Sequence, residues 1–171
     1  MKNLPSTNHL PELKIGLQTN GLLMTPEMWD SLGDAAKMID LASISVDAAT
    51  ESTYRLNRGG DWSKLLANLK WIAESEIQCN LNFVIQENNM EEMEAFVELA
   101  RKYKVSIVYF STLENWGSYT EEEFARRAVQ RPSHLKHQRC LEILRRPLFQ
   151  SSTEPKIFIA GDLGRMAKAT S

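Results

Sequence analysis

LASISVDAATESTYRLNRGGDW, residues 41–62, is the stretch whose reading decides the fold. Its first residues are small, apolar and β-branched, the composition of a parallel strand buried on both faces. The strand runs out at Asp47, a loop and one helical turn follow, and the chain breaks at Gly59-Gly60 before a helix start at Asp61. Ser45 and Asp47 alternate with Ile44 and Val46, so the hydroxyl and the carboxylate share one side of the strand. The C-terminal end of a parallel strand is where α/β proteins place their ligands, which makes both residues binding candidates. An Asx-type turn accounts for the same two residues without any ligand.

Upstream, residues 1–12 are a lead-in punctuated by Pro5 and Pro11, which disfavour helix. LKIGLQT, residues 13–19, reads as a strand ending in the turn pair Asn20-Gly21. A helix then carries Met28, Leu32 and Ala35 inward and ends near Lys37. Downstream, Trp62, Leu65, Leu66, Leu69, Ile72 and Ala73 recur at helical spacing behind the cap Asp61. NLNFVIQ, residues 80–86, is the next strand, followed by a helix whose start has Asn89 and Glu92 at capping-box spacing. VSIVYFS, residues 105–111, is the most strand-like segment of all. Helices are expected over 119–129 and 134–146, broken at Pro132 and stopped by Pro147. KIFIA, residues 156–160, is one more short strand, and residues 161–171 read as a polar tail.

Composition narrows the function classes. The 171 residues suffice for one domain, residues 13–160, and 43% of them are apolar, enough for a core. A net charge of -2 from 20 basic and 22 acidic side chains points to neither nucleic acid nor an anionic membrane as partner. No run approaches membrane-spanning length, and the start lacks a signal-peptide segment. Cys79 and Cys140 are far apart and unaccompanied, and read as reduced, buried thiols of a cytoplasmic protein. His134 and His137 are three apart but lack a third ligand, and no histidine has an evident Ser or Cys nucleophile beside it.

Strands alternating with helices imply an α/β fold of parallel strands joined by right-handed crossovers. Two closures fit that order, an open doubly wound sheet and an arc of a β/α barrel, and periodicity does not choose between them.

The segment SVDAATESTYRLNRGG resembles the fourth-strand segment of radical SAM enzymes, in which Ser, a β-branched residue and Asp precede Glu, Tyr or His, and an Arg before Gly. LKIGLQTNG resembles the third strand of that family, LNFVIQENNMEEMEAFVELARKYKV the fifth with its helix, and VSIVYFSTLENWG the sixth. The region after residue 117 resembles the tail of the SPASM-related branch. This resemblance implies a partial (β/α) barrel and, as cofactors, S-adenosylmethionine (SAM) with a four-iron four-sulfur cluster. It implies that Ser45 and Asp47 face the cofactor, that Arg58 offers a guanidinium to its carboxylate, and that Asn20 and Gln86 line the same cavity. Backbone capping explains Asn20 and Gln86 equally well. Ala48 stands where the family has Gly.

The family's C-x3-C-x2-C loop follows its first strand and its Gly-Gly-Glu motif its second, and neither is in this sequence. Two separated cysteines cannot build such a cluster loop. The expectation is therefore the C-terminal portion of a radical SAM enzyme, not competent by itself, with no cluster in this chain. The alternative is a non-catalytic α/β domain that binds a protein partner or small ligand at its strand ends. An uncovered sheet edge predicts self-association.

Overall fold

The computed structural model describes residues 13–151 and 154–168. The lead-in over residues 1–12 lies outside them. Five parallel strands form one sheet: β1 (Ile15–Thr19), β2 (Ile39–Ser45), β3 (Gln78–Ile85), β4 (Ile107–Thr112) and β5 (Lys156–Ile159), in the spatial order β1-β2-β3-β4-β5. That order decides between the two closures. A doubly wound sheet reverses direction at a switch point, whereas here each strand is laid beside its predecessor. Right-handed crossovers running in one direction put their helices on one face. The sheet is an arc of a β/α barrel, and it is not closed.

The faces differ accordingly. Ala42 and Ile44 of β2, Leu81, Phe83 and Ile85 of β3, and Val108 and Phe110 of β4 are buried under the helices. Their cover is α3 (Trp62–Glu74), α4 (Met93–Lys102), α6 (His137–Leu144) and α8 (Gly161–Lys168), with the short α7 (Pro147–Gln150) contributing Phe149. Phe83 meets Phe96 at 4.8 Å and Phe110 at 5.3 Å between ring centroids, both tilted. Each such ring contributes roughly 1.5–3 kcal/mol by burial. On the other face Ser43, Ser45, Asn82, Val84, Ile107 and Tyr109 alternate with the core residues and keep contact with solvent.

Several elements differ from the sequence reading. The first helix is not continuous: α1 (Pro26–Asp30), capped by Thr25 Oγ1, gives way to a 3-10 segment, Gly33–Met38, entered through Gly33 at φ +54. Behind β2 stands a full helix, α2 (Glu51–Arg58), instead of a single turn. The twin glycines after it serve two purposes. Gly59 takes the left-handed cap conformation at φ +65, while a Cβ on Gly60 would lie 2.9 Å from Tyr54 Oη. α5 (Glu121–Arg127) is shorter than expected and starts at Thr120 in a capping box with Glu123. Pro147 ends one helix and occupies the first turn of the next. The expected polar tail is in fact α8 as far as Lys168. Leu163, Gly164 and Ala167 are buried, and a Cβ on Gly164 would lie 2.3 Å from the Ile159 carbonyl oxygen. A polar composition hides that apolar stripe at helical spacing.

Candidate functional site

The C-terminal ends of β2 and β3 are joined through one residue. Asp47 is 5% exposed and lies at φ +59, a left-handed conformation that Asp tolerates better than most residues. The amides of Val46 and Asp47 both donate to the Asn82 carbonyl, at 3.1 and 3.4 Å. The chain then turns away, and the Asp47 carboxylate replaces the carbonyl of a further strand residue. Its Oδ1 accepts the Val84 amide at 2.7 Å, and its Oδ2 pairs with Arg58 Nη2 at 2.5 Å. The Asp47 carbonyl accepts from Asn57 Nδ2 at 2.8 Å and from Asn89 Nδ2 at 3.0 Å. Burial pushes the Asp47 carboxyl above its ordinary value, while Arg58 and the Val84 amide pull it down.

Asn89 and Glu92 do not form the local capping box their spacing suggests. Asn89 is fully buried and takes the Gln86 amide at 2.7 Å while donating to Asp47 and Val84 carbonyls. Glu92 reaches across to the β2–α2 loop. It accepts the amides of Ala49 and Thr50 and the hydroxyls of Thr50 and Thr53, at 2.5–3.2 Å. A carboxylate at the start of α2 also complements the helix dipole. These long-range acceptors carry no local sequence signal, because the same two residues satisfy a local rule on paper. Ala48 is buried and is not among the residues with positive φ, so the loop has no need of glycine there.

The five candidate residues fall in different surroundings. Ser45 is half-buried on the face without helices, in register with Asn82. Arg58, its side chain 29% exposed, ends α2 and is held by Asp47. Asn20 is exposed and accepts the Leu22 amide at 3.1 Å, closing its own turn. Gln86 is buried beyond β3, where its Oε1 accepts from Arg127 Nη1 at 3.4 Å. Ser45, Asp47 and Arg58 thus belong to one strand-to-helix unit. Asp47 and Gln86 are linked through Asn89, while Asn20 sits at the end of β1 next to β2.

A carboxylate-anchored guanidinium beside strand-end hydroxyl and amide groups suits a small ligand with its own carboxylate and hydroxyls, as SAM has. The same residues do not suit an iron–sulfur cluster. Among the described residues no three His, Cys, Asp or Glu side chains converge as metal ligands. Cys79 and Cys140 are buried, and burial pushes both thiols up to about 12. His137 Nδ1 is engaged by the Val129 carbonyl at 2.9 Å.

The Radical SAM superfamily profile matches residues 2–100, more than half of the sequence. The chain belongs to the radical SAM superfamily. It is 30% identical over 92 residues to the AdoMet-dependent heme synthase of Methanosarcina barkeri, a stretch covering 53% of this chain and 26% of that protein. The matched stretch is thus about a quarter of that relative's length. Among solved structures, SuiB of Streptococcus suis superposes with a TM-score of 0.64 at 15% identity, over 91% of this chain and 35% of SuiB. The same protein bound to S-adenosylmethionine superposes with a TM-score of 0.63 at 16% identity, over the same shares of the two chains. A domain of pyruvate-formate lyase-activating enzyme from Bacteroides vulgatus gives 0.51 at 16% identity, over 86% of this chain and 82% of that one. These likenesses show the fold.

The state of the thiols can be checked directly. A shift from 9.0 to about 12 leaves about a thousandfold less thiolate at pH 8, on top of the steric block. Both cysteines are expected to resist an aromatic disulfide reagent in the native protein and to react fully in denaturant. Reaction of either thiol within minutes under native conditions contradicts the burial described.

Proposed function

We propose that this chain forms the SAM-facing wall of a radical SAM enzyme. The observation that carries the reading is the Asp47–Arg58 pair, set at the end of β2 beside a hydrogen-bonding sheet face that no helix among the described residues covers, in a chain of this superfamily. Arg58 would receive the SAM carboxylate, since a guanidinium already fixed by one carboxylate loses little freedom on meeting a second. Asp47 acts through Arg58 as a positioning residue. Ser45 would bond a ribose hydroxyl, with Asn20 at the neighbouring strand end and Gln86 supporting the loop after β3.

Radical chemistry in this superfamily is supplied by the cofactors, and the protein's share is to bind and orient them. No step is assigned to an iron–sulfur cluster, since no three His, Cys, Asp or Glu side chains among the described residues converge as metal ligands. The fold likeness to a SAM-bound structure supports the SAM part of the reading. No helix among the described residues is long and apolar enough to cross a membrane.

Calorimetric titration with SAM tests this reading. A lost charge-assisted bond is worth roughly 1.5–3 kcal/mol, so Arg58→Ala is expected to weaken binding at least about tenfold. Arg58→Lys should restore only part of it, and Ser45→Ala should cost a few-fold. Equal binding by the wild type and Arg58→Ala overturns the assignment. No binding to the wild type would favour an α/β domain with a different ligand at its strand ends.

Assembly follows from the edges. Strand β1 has a neighbour only on its β2 side among the described residues, and an unpaired parallel edge recruits a further strand. We propose self-association through it. Light scattering should show a dimer or larger species, and a monomer at high concentration contradicts the proposal.

A further inference from the structure

The sheet face without helices has two chemically distinct halves. Cross-strand register sets Ser45, Asn82, Tyr109 and Phe158 in a single row from β2 to β5. The β2–β3 half is hydroxyl and carboxamide, with Asn82 Nδ2 donating to Ser43 Oγ at 2.8 Å. The β4–β5 half is aromatic. Tyr109 and Phe158 are 36% and 49% exposed, with ring centroids 5.3 Å apart and planes only 21° apart.

That geometry sets them apart from the other ring pairs of the described residues, which are tilted by 48–75°. Tilted rings interlock and fill a core, whereas two near-parallel rings at a surface make a flat shelf. Cross-strand stabilisation of β4 against β5 explains why the rings adjoin. It does not need both of them to stay open to solvent. The row carries no charged side chain, and Lys156 lies in the adjacent row, paired with Ile107. A flat, π-rich row whose nearest cation stands one row away matches a planar conjugated group better than a compact anion.

We propose, resting on the SAM reading above, that the Tyr109–Phe158 shelf receives the flat, conjugated part of the substrate. Two strand spacings separate Ser45 from Tyr109, about 10 Å. A cofactor at Ser45 and Arg58 and a planar group on the shelf therefore lie side by side on one surface, without overlap. Phe158 and Tyr109 are the specificity-determining residues of that half.

The test uses the full chain and two neutral probes of like shape, 2-naphthamide and its saturated analogue decahydro-2-naphthamide, followed by saturation-transfer NMR. The aromatic amide is expected to bind and the saturated one to bind about tenfold more weakly. Phe158→Leu keeps the apolar volume and should cost the aromatic amide about tenfold, whereas Tyr109→Phe should leave it within about twofold. Arg58→Ala should lower SAM affinity and leave naphthamide binding unchanged, so failure of the SAM reading shows separately from failure of the shelf. Equal binding of the two amides, or no effect of Phe158→Leu, overturns the proposal. So does a concentration-dependent dimer that Phe158→Leu dissolves, which would mean that a second copy covers the shelf.

Discussion

The carboxylate of Asp47 is the constraint on which the strand ends depend. It lies where β2 leaves the sheet while β3 continues, so a backbone amide of β3 would be left without a partner there. An unmet buried amide costs about 1–3 kcal/mol. The carboxylate meets it and then requires a counter-charge of its own, because burial penalises the ionised form. Arg58 supplies that charge from two helical turns away, and α2 is thereby oriented against the sheet. The left-handed backbone of Asp47, a cost of order 1–3 kcal/mol, is held by Asn57 and Asn89 on its carbonyl. Glu92 fixes the loop that follows. Strand, helix and guanidinium are thus one mechanical unit, in which the position of Arg58 is set by Asp47.

Much of this was legible in the residues, and what was missed has a physical pattern. Strands such as residues 80–86 and 105–111 show themselves because their β-branched and aromatic runs have no other stable use. The motif around Ser45, Asp47 and Arg58 identified the superfamily, and the fold and profile comparisons agree with it. The barrel arc was not legible from periodicity, since strand order is a long-range property. The break at Gly33 was not legible either, because one glycine within a helical pattern does not announce a left-handed residue. Asn89 and Glu92 misled in an instructive way. Their spacing obeys a local capping rule, yet Asn89 reaches Asp47 and Glu92 reaches Thr50 and Thr53, some forty positions away. The α8 stripe was masked by its charged neighbours.

The sheet's open face follows from the same topology. With the core helices on one side, one row of each of these strands is core and the other keeps contact with solvent. Here that row passes from Ser45 through Asn82 to Tyr109 and Phe158, from hydrogen bonding to stacking. The cysteines take no part in it. Both thiols lie in apolar surroundings that disfavour thiolate, which is the state a metal or a redox partner needs.

Native-state hydrogen exchange at the Val84 amide tests the central claim most directly. If the Asp47 carboxylate closes the β2–β3 ladder, Val84 exchanges as slowly as the neighbouring Phe83 amide. In Asp47→Ala it then accelerates about a hundredfold while Leu81 stays protected. An unprotected Val84 amide in the wild-type protein, or one indifferent to the loss of the carboxylate, would contradict the account.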